Sequence, residues 1–569
     1  MRFAYDPYGR LGRPICEALQ GMTPIVKSPR FTGWWTPGAT PPEYGYRIVA
    51  EGLARVTHPL VLLQIDNRIA VGRGGILTLG EQPPAGLRAL PVYGYTPPLH
   101  PENLGDPGFK QRHRLRYAYV AGAMANGITS VTMVSETGRA GMLGFFGAAG
   151  LVPDEIDRAI GQLQSALGET PFGLNLIHTP NDPELELAVV RLYLQRGISL
   201  VSASAYLDLT LPLVYYRVKG IHRDSDDRIV CPNRIVGKVS RVELATQFLS
   251  PPPPKLLGEL LNRRWITPRE AELAAGVPMV GDLTAEADSG GHTDNRPALA
   301  LLPTMLSLRD RLVEKFSYPY EISVGLGGGI ATPDAVAAAF ALGAAFVVTG
   351  TVNQACVEAG TSVTVRQMLA EAGQADVTMA PAADMFEMGV KVQVLKRGTL
   401  FPFRAAKLYD LYNRFAGFES LPDKDKTIIE RDILRASFAE EWERTQNFFR
   451  LRDPSQIRRA ESDPKHKMAL VFRSYLGQSS NWATHGKPSR KIDYQIWCGP
   501  GMGAFNAWTQ GSFLEKPQNR QVVTVGLNLL LGAAIATRQN WLRCQGVLLA
   551  PGLGRFRPLE LPELQDLMI

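Results

Sequence analysis

The densest cluster of polar side chains in the sequence is DSGGHTDNRP, at 288–297. Two glycines precede His292 and give the turn freedom to direct its imidazole into a pocket. Because the ordinary pKa of histidine lies near neutrality, His292 could donate a proton or a hydrogen bond to an enolate that develops during a reaction. Asp288 and Asp294 could orient the imidazole. The alternative is a histidine with a purely structural role. The H-x-H and H-E-x-x-H spacings are absent, so the sequence predicts no metal site.

A second chemical signal is the glycine loop within EISVGLGGGIATPDAVAAAFALGAAFVVTGT, at 321–351. The segment predicts a buried strand, the loop, a helix and a second strand. Gly328 and Gly329 allow positive φ and a close approach of the backbone to a ligand. The following Thr-Pro-Asp is a helix-start signal, so helix amides should face the loop and favour an anion. Gly350 and Thr351 add amides and a hydroxyl at the end of the second strand.

A dinucleotide-binding loop is a weaker interpretation of the same segment. The third glycine of a G-x-G-x-x-G fingerprint falls on Ile330. The strand at 345–348 also lacks the terminal Asp or Glu that would bind a ribose. A mononucleotide phosphate is therefore favoured, and a tight turn without a ligand remains the other alternative.

These residues need a scaffold, and the pattern after residue 117 predicts one. Short apolar strands alternate with helical segments, which favours βα units and a parallel sheet. Eight strands with crossover helices predict a (β/α)8 TIM barrel, in which phosphate binds at the loops after strands seven and eight. The two strands of the glycine-rich segment are the seventh and eighth predicted strands, so the loops that follow them are the expected phosphate site. The eight predicted strands lie at 119–124, 142–146, 172–177, 199–202, 234–239, 278–287, 322–325 and 345–348.

The carboxyl ends of barrel strands carry the site in this fold, and three more of them have suitable residues. Ala123 and Met124 follow strand one, where small neighbours would let a flat ligand lie against the backbone; plain close packing is the alternative. Asn175 ends strand three and could contact a ring edge or simply cap a turn. Lys238 ends strand five, either as a charge partner inside the site or at its rim.

The flanking regions differ from the barrel. Residues 1–98 predict a small β-rich domain, 99–400 the barrel, and 401–569 a helical cap with a closing C-terminal helix. Within the cap, Thr427 and Glu430 resemble a capping box that would open one helix at 428–449.

Composition sets broad limits. The 569 residues, 45% hydrophobic and 20% charged, can bury a large core. Basic residues number 61 against 54 acidic, for a net charge of +7, and their mixing along the chain predicts no nucleic-acid partner.

Without a C-x-x-C pair, a secretory leader or a G-x-S-x-G elbow, the chain is predicted to be cytoplasmic and not a hydrolase. The longest apolar run, 522–536, is short and interrupted, so no membrane span is expected. The five cysteines are Cys16, Cys231, Cys356, Cys498 and Cys544.

Several longer segments resemble one enzyme family. In the barrel region they resemble flavin-dependent enzymes of the nitronate monooxygenase and bacterial enoyl reductase superfamily. Beyond it they resemble the PfaD-type trans-acting enoyl reductases of polyunsaturated fatty acid and polyketide synthases. The segments are GAMANGITS (122–130), AGMLGFFGAAGL (140–151), PFGLNLIHTPNDP (171–183), ADSGGHTDNRP (287–297), GGGIATPDAVAAAFALGAAFVVTGT (327–351), KVQVLKRGTLFPFRAAKLYDLY (391–412) and DYQIWCGPGMGAFNAW (493–508).

The resemblance implies an FMN-binding barrel that takes hydride from NADPH and reduces an enoyl thioester on an acyl carrier protein. The sequence allows a homodimer but does not fix the oligomeric state. It implies that His292 orients or protonates the substrate. Asp288-Ser289 replaces the superfamily's broader Glu-Ala, which disfavours nitronate substrates. A nitronate monooxygenase-like flavin oxidase and a non-catalytic scaffold are the alternatives. The implied flavin-binding residues are Ala123, Met124, Asn175 and Lys238 near the ring and ribityl chain, and Gly290, Gly328, Gly329, Gly350 and Thr351 near the phosphate.

Overall fold

The computed structural model describes residues 33–66, 68–180 and 182–568. Cys16 and the other predictions for residues 1–32, the first part of the predicted N-terminal domain, lie outside the described residues.

Eight parallel strands form a closed barrel, which confirms the predicted fold class. Each strand pairs with its successor in the chain, and the eighth pairs with the first. All eight predicted strands are present, with ends shifted by a few residues. The strands are β1 (Tyr119–Ala121), β2 (Leu143–Phe146), β3 (Gly173–Ile177), β4 (Leu200–Ser204), β5 (Arg234–Val239), β6 (Asp282–Glu286), β7 (Ser323–Gly327) and β8 (Val347–Thr349).

The barrel interior is a packed apolar core, as the near-continuous apolar composition of its strands predicts. Phe109 and Phe346 stack there with ring centroids 4.1 Å apart. Gly325 makes room for the second ring, since a Cβ at that position would lie 2.4 Å from Phe346. The core therefore closes one end of the barrel and leaves the carboxyl ends of the strands for a site.

Helices follow the barrel strands in the order expected of βα units. Proline at the first turn and Asp or Thr at the N-cap open several of them. Their bounds are Val131–Arg139, Pro153–Leu167, Pro183–Gln195, Leu211–Val218, Val242–Phe248, Pro254–Asn262, Pro268–Ala274, Ala298–Phe316, Pro333–Ala341, Thr351–Gln354 and Val363–Ala370.

A small three-stranded sheet positions the polar loop after β6. The strand Gly291–His292 pairs antiparallel with Lys391–Leu395, which also pairs with Val377–Pro381. His292 lies opposite Val392 in this register. The histidine is therefore on a paired strand rather than on a free turn.

Most of the remaining chain is helical, as predicted for the cap. The bounds of the main helices are Phe401–Arg414, Asp423–Ile428, Ile429–Leu434 (a π-helix), Phe438–Arg452, Pro454–Ser462, Pro464–Thr484, Gly501–Thr509 and Val522–Cys544.

The single helix predicted at 428–449 is wrong. The chain leaves the helical conformation at Arg435, where φ is 57°, and a new helix begins after Ser437. Ser437 and Glu440 form the capping box, because the Ser437 Oγ accepts from the Glu440 amide (3.2 Å) and the Glu440 carboxylate accepts from the Ser437 amide (2.7 Å). Thr427 instead donates its hydroxyl to the Asp423 carbonyl.

The described residues divide into two compact units, one running from Gly105 to Leu527 and the other combining the residues up to Leu104 with Asn528 onward. The predicted boundaries at 98 and 400 stay predictions. The smaller unit contains a six-stranded sheet and the helices Tyr46–Ala54 and Leu561–Met568. Its strands are Gly33–Thr36, Glu43–Tyr44, Leu60–Ile65, Arg68–Gly72, Ile76–Leu79 and Leu90–Thr96.

A buried arginine joins the two chain segments of the smaller unit. The Arg538 guanidinium donates to the carbonyls of Leu53 (2.8 Å), Arg55 (2.9 Å) and His58 (2.7 Å). It thereby satisfies carbonyls that a helix leaves unpaired at its C-terminus. Arg538 belongs to Val522–Cys544, the one described helix long and apolar enough to cross a bilayer; 89% of its most apolar window is buried inside the protein, as in a core helix.

Candidate active site

A cavity of about 870 Å³ lies at the carboxyl ends of the barrel strands. Barrel loops form one wall, and residues of the later helices and of the segment at 495–501 form the other. All ten sequence-predicted site residues line this cavity, whereas their roles in catalysis or cofactor binding stay predictions. They are His292, Ala123, Met124, Asn175, Lys238, Gly290, Gly328, Gly329, Gly350 and Thr351.

The glycine loop after β7 leaves space beside its backbone. Gly328 has φ of 88°, and a Cβ there would lie 2.6 Å from the Ala287 carbonyl carbon, so only glycine fits. Gly329 also has positive φ (73°), but a Cβ there would meet no atom within 4 Å. A Cβ at Gly350 would likewise meet no atom within 4 Å. Because both residues line the cavity, the space next to their amides is open to a ligand.

The helix that follows the glycine loop begins as predicted. Thr332 caps it, and the Thr332 Oγ1 accepts from the Ala335 amide at 3.3 Å. This bond uses one of the amides that the helix leaves unpaired, and the positive end of the helix dipole remains at the loop. The end of β7 therefore has the elements of an anion site.

Asn175 and Lys238 both lie at strand ends in the cavity wall. The Asn175 Oδ1 accepts from the Ala149 amide (3.1 Å), which fixes the side chain and leaves the Nδ2 hydrogens to donate. The Lys238 Nζ lies 2.8 Å from the Glu286 carboxylate, and the Ser289 hydroxyl donates to the same carboxylate oxygen at 2.8 Å. Lys238 is thus a charge partner inside the site rather than a rim residue.

His292 is paired with a carboxylate that no sequence motif marked. Its Nε2 lies 3.2 Å from an Asp384 carboxylate oxygen, and 29% of the His292 side chain is exposed. Burial acts to lower the pKa of His292, but the negative charge of Asp384 and the hydrogen bond to it outweigh burial, so the pKa lies above its ordinary value. The pKa of Asp384 is lowered: burial acts to raise it, but the charge and hydrogen bond of His292, a backbone hydrogen bond and the charge of Arg473 together outweigh burial. The pairing with Asp384 therefore favours the protonated form of the imidazole.

The expectation that Asp288 or Asp294 orients His292 is wrong. The Asp288 carboxylate accepts from the amide groups of Gln393 (2.7 Å) and Asn295 (2.8 Å). Asp294 forms a two-pronged pair with Arg241, and hydrogen bonds from Arg241, together with its charge, lower the pKa of Asp294 to about 2. Both carboxylates stabilise the loop, and Asp384 is the group in contact with the imidazole.

A later segment, Cys498 to Gly501, closes over the predicted phosphate end. The Gly499 amide donates to the Thr351 Oγ1 at 3.2 Å. Gly290 and Gly499 are packed backbone to backbone, because a Cβ at Gly499 would lie 2.9 Å from the Gly290 nitrogen, and one at Gly290 would lie 3.0 Å from the Gly499 nitrogen. The resemblance included this segment (493–508), but only the fold could assign Gly499 a contact with the His292 loop.

The helix Phe438–Arg452 contributes further residues of the cavity wall that the sequence analysis missed. Arg444, Phe448 and Arg452 are spaced by four residues and share one face of that helix. Phe448 is 49% exposed, and the Arg452 guanidinium carbon lies 4.3 Å from the centre of its ring. The sequence pattern joined this segment to a longer helix and gave these side chains no role.

The cavity fits the FMN that the resemblance implies. Gly329 and Gly350 leave the open space that a phosphate needs beside backbone amides. Asn175 retains amide donors, and Lys238 supplies a cation for an electron-rich ring edge. The lining is largely apolar, which suits a planar ring.

One solved structure decides the family. The enoyl reductase domain of MlnA, from the macrolactin biosynthesis cluster of Bacillus amyloliquefaciens, is 38% identical, with a TM-score of 0.73. The match covers 78% of this chain and 99% of that one. The chain belongs to the PfaD-type enoyl reductase family.

Two curated relatives have names from polyunsaturated fatty acid and polyketide biosynthesis. A polyunsaturated fatty acid synthase component of Thraustochytrium sp. is 46% identical over 448 residues, 78% of this chain and 30% of that protein. Polyketide biosynthesis protein PksE of Bacillus subtilis is 46% identical over 440 residues, 77% of this chain and 57% of that protein. The chain thus spans about a third to just over half of their length. Separately, residues 415–494 match the family model of the inserted helical domain of [acyl-carrier-protein] S-malonyltransferase.

Proposed function

We propose that this reductase reduces the α,β-double bond of enoyl thioesters carried by acyl carrier protein, with NADPH as hydride source and FMN as bound cofactor. The observation that carries the proposal is the paired His292 and Asp384, which line the same cavity as the open glycine loop. Family membership and the synthase relatives support the reaction class. The match of residues 415–494 to a domain of an acyl-carrier-protein enzyme supports the carrier-bound substrate.

The residues of this chain have distinct tasks in the proposed reaction. Backbone amides of the glycine loop and of Gly350 would hold the FMN phosphate, and Asn175 and Lys238 would contact the ring system. Bound FMN supplies the transfer of a hydride from NADPH to the β-carbon of the enoyl group. His292 would then give the proton that the α-carbon requires, or hydrogen-bond the enolate oxygen first. Asp384 would orient the imidazole and favour its protonated form, since its charge and hydrogen bond raise the pKa of His292.

NADPH oxidation by the FMN-reconstituted protein under anaerobic conditions tests this reaction. A crotonyl thioester of acyl carrier protein should start NADPH consumption and yield one butyryl thioester per NADPH. Nitroethane with oxygen and without NADPH should give no turnover, because the Asp288-Ser289 variant of the loop disfavours nitronates. Turnover of nitroethane would instead establish the flavin oxidase, and a protein that binds no FMN would overturn both.

A further inference from the structure

The proposed function requires a carrier-bound substrate to enter the cavity, and one arginine at its open end has no assigned task. Within the described chain, four lysine or arginine side chains line the cavity. Three of them are paired with carboxylates: Lys238 with Glu286, Arg444 with Glu441 and Arg473 with Glu387.

The fourth, Arg452, contacts a ring instead of a carboxylate in the part of the chain that the structure describes. Its guanidinium stacks on Phe448 at 4.3 Å. Stacking on an aromatic face leaves the edges of a guanidinium free to donate, and their planar fork matches two phosphate oxygens. Arg452 and Phe448 thus combine a fixed cation with an apolar surface.

Phe448 and Arg452 are more exposed to solvent than the side chains at the reactive end of the cavity. Phe448 is 49% exposed and Arg452 is exposed, whereas 29% of the His292 side chain and 28% of the Lys238 side chain are accessible. The glycine loop that suits a flavin phosphate belongs to the barrel wall, and Arg452 belongs to the opposite, helical wall. Because Arg452 and His292 line the same cavity, one extended ligand that enters from solvent can contact both.

We infer that Arg452, supported by Phe448, binds the phosphate of the phosphopantetheine arm that carries the enoyl group. The inference rests on the proposed function for the identity of the arm. The 2′-phosphate of NADPH offers the same chemistry, and the experiment separates the two sources. The adjacent Asp453 forms no ion pair with Arg452 among the described residues, because its carboxylate is turned to the next helix, which it caps through Ser455 and Gln456.

The test compares crotonyl phosphopantetheine with crotonyl pantetheine, which lacks only the phosphate, in the wild type, Arg452→Gln and Arg450→Gln. Arg450 is a matched control, since it lies on the same helix, is outside the cavity lining and donates to Asn447. The wild type and Arg450→Gln should show a KM about tenfold lower for the phosphorylated substrate, the value of one charge-assisted contact. Arg452→Gln should remove this difference in KM between the two substrates and leave the KM for NADPH unchanged.

A ratio that survives Arg452→Gln overturns the inference, and a raised KM for NADPH assigns Arg452 to the dinucleotide instead. Calorimetric binding of butyryl phosphopantetheine and butyryl pantetheine, which are not reduced, repeats the comparison without turnover. Wild-type protein that discriminates between these two ligands without reducing any enoyl thioester would refute the proposed reaction and retain the phosphate site. Equal binding of the two by the wild type would refute the site alone.

Discussion

The two walls of the cavity are built in different ways. The barrel wall consists mainly of strand ends and glycine backbone, and its parts are close in sequence to the strands that position them. The other wall is completed by side chains and loops from distant segments: Asp384 lies 92 residues after His292, and Gly499 lies 148 residues after Thr351. The barrel wall thus supplies the glycine backbone and helix start expected of an anion site, and the later segments add the contacts to His292 and Thr351.

The largest expected effect comes from removing His292, which is paired with Asp384 of the other wall. His292→Ala should lower the reduction rate about 10²–10⁴-fold, the usual contribution of general acid catalysis, with FMN content near that of the wild type. His178→Ala is the matched control: burial lowers the pKa of His178 despite the nearby charge of Asp208, the opposite direction to His292, so its loss should lower the rate less than about tenfold. Single-turnover rates measure both, and equal losses would remove the distinction between the two histidines.

The glycine backbone of the barrel wall can be tested by stability. Gly328→Ala should lower the free energy of unfolding by about 2–4 kcal/mol, because the new Cβ meets backbone atoms at positive φ. Gly350 has φ of −126°, and no atom lies within 4 Å of a new Cβ there. Gly350→Ala should therefore keep the stability of the wild type and lose FMN affinity. Denaturant unfolding and flavin fluorescence titration measure the two effects. Unchanged FMN affinity in Gly350→Ala would refute the assigned phosphate position.

The contact between the two walls can be tested at Gly499. Gly499→Ala places a Cβ 2.9 Å from the Gly290 nitrogen, so we expect a loss of about 1–3 kcal/mol in stability or a displaced His292 loop with lower activity. Gly258→Ala is the control, since its Cβ meets no atom within 4 Å inside the helix Pro254–Asn262, and it should stabilise that helix by about 0.5–1 kcal/mol. Wild-type behaviour of Gly499→Ala in both assays would show that the loops are not coupled.

The smallest effect is a change in pH dependence. Activity that needs protonated His292 falls as the pH rises through the pKa of that residue. Asp384→Asn removes the charge that raises this pKa, while burial continues to lower it, so the decline should begin at a lower pH. Asp294→Asn, which loses a pair with Arg241 rather than with His292, should keep the wild-type profile of kcat against pH. Identical profiles for all three proteins would remove Asp384 from the proposed proton donor.

The barrel was predictable because its signals are local. Each strand is a short apolar run beside a helix signal, and Gly328 to Gly329 and Thr332 mark the loop and helix start directly. Asp384 was not predictable, since the pairing of His292 with Val392 that brings the chain near it is a long-range contact. The helix break at Arg435 was missed because Thr427 and Glu430 have the same residue spacing as the real capping box, Ser437 and Glu440. Residue spacing alone cannot tell which hydroxyl accepts a hydrogen bond from a backbone amide.

Anaerobic absorbance of the FMN-reconstituted protein tests the central claim most directly. NADPH should bleach the flavin band, and a stoichiometric amount of crotonyl thioester on acyl carrier protein should restore it without oxygen, with His292→Ala restoring it about 10²–10⁴-fold more slowly. A flavin that NADPH does not bleach, or that only oxygen reoxidises, would contradict the account.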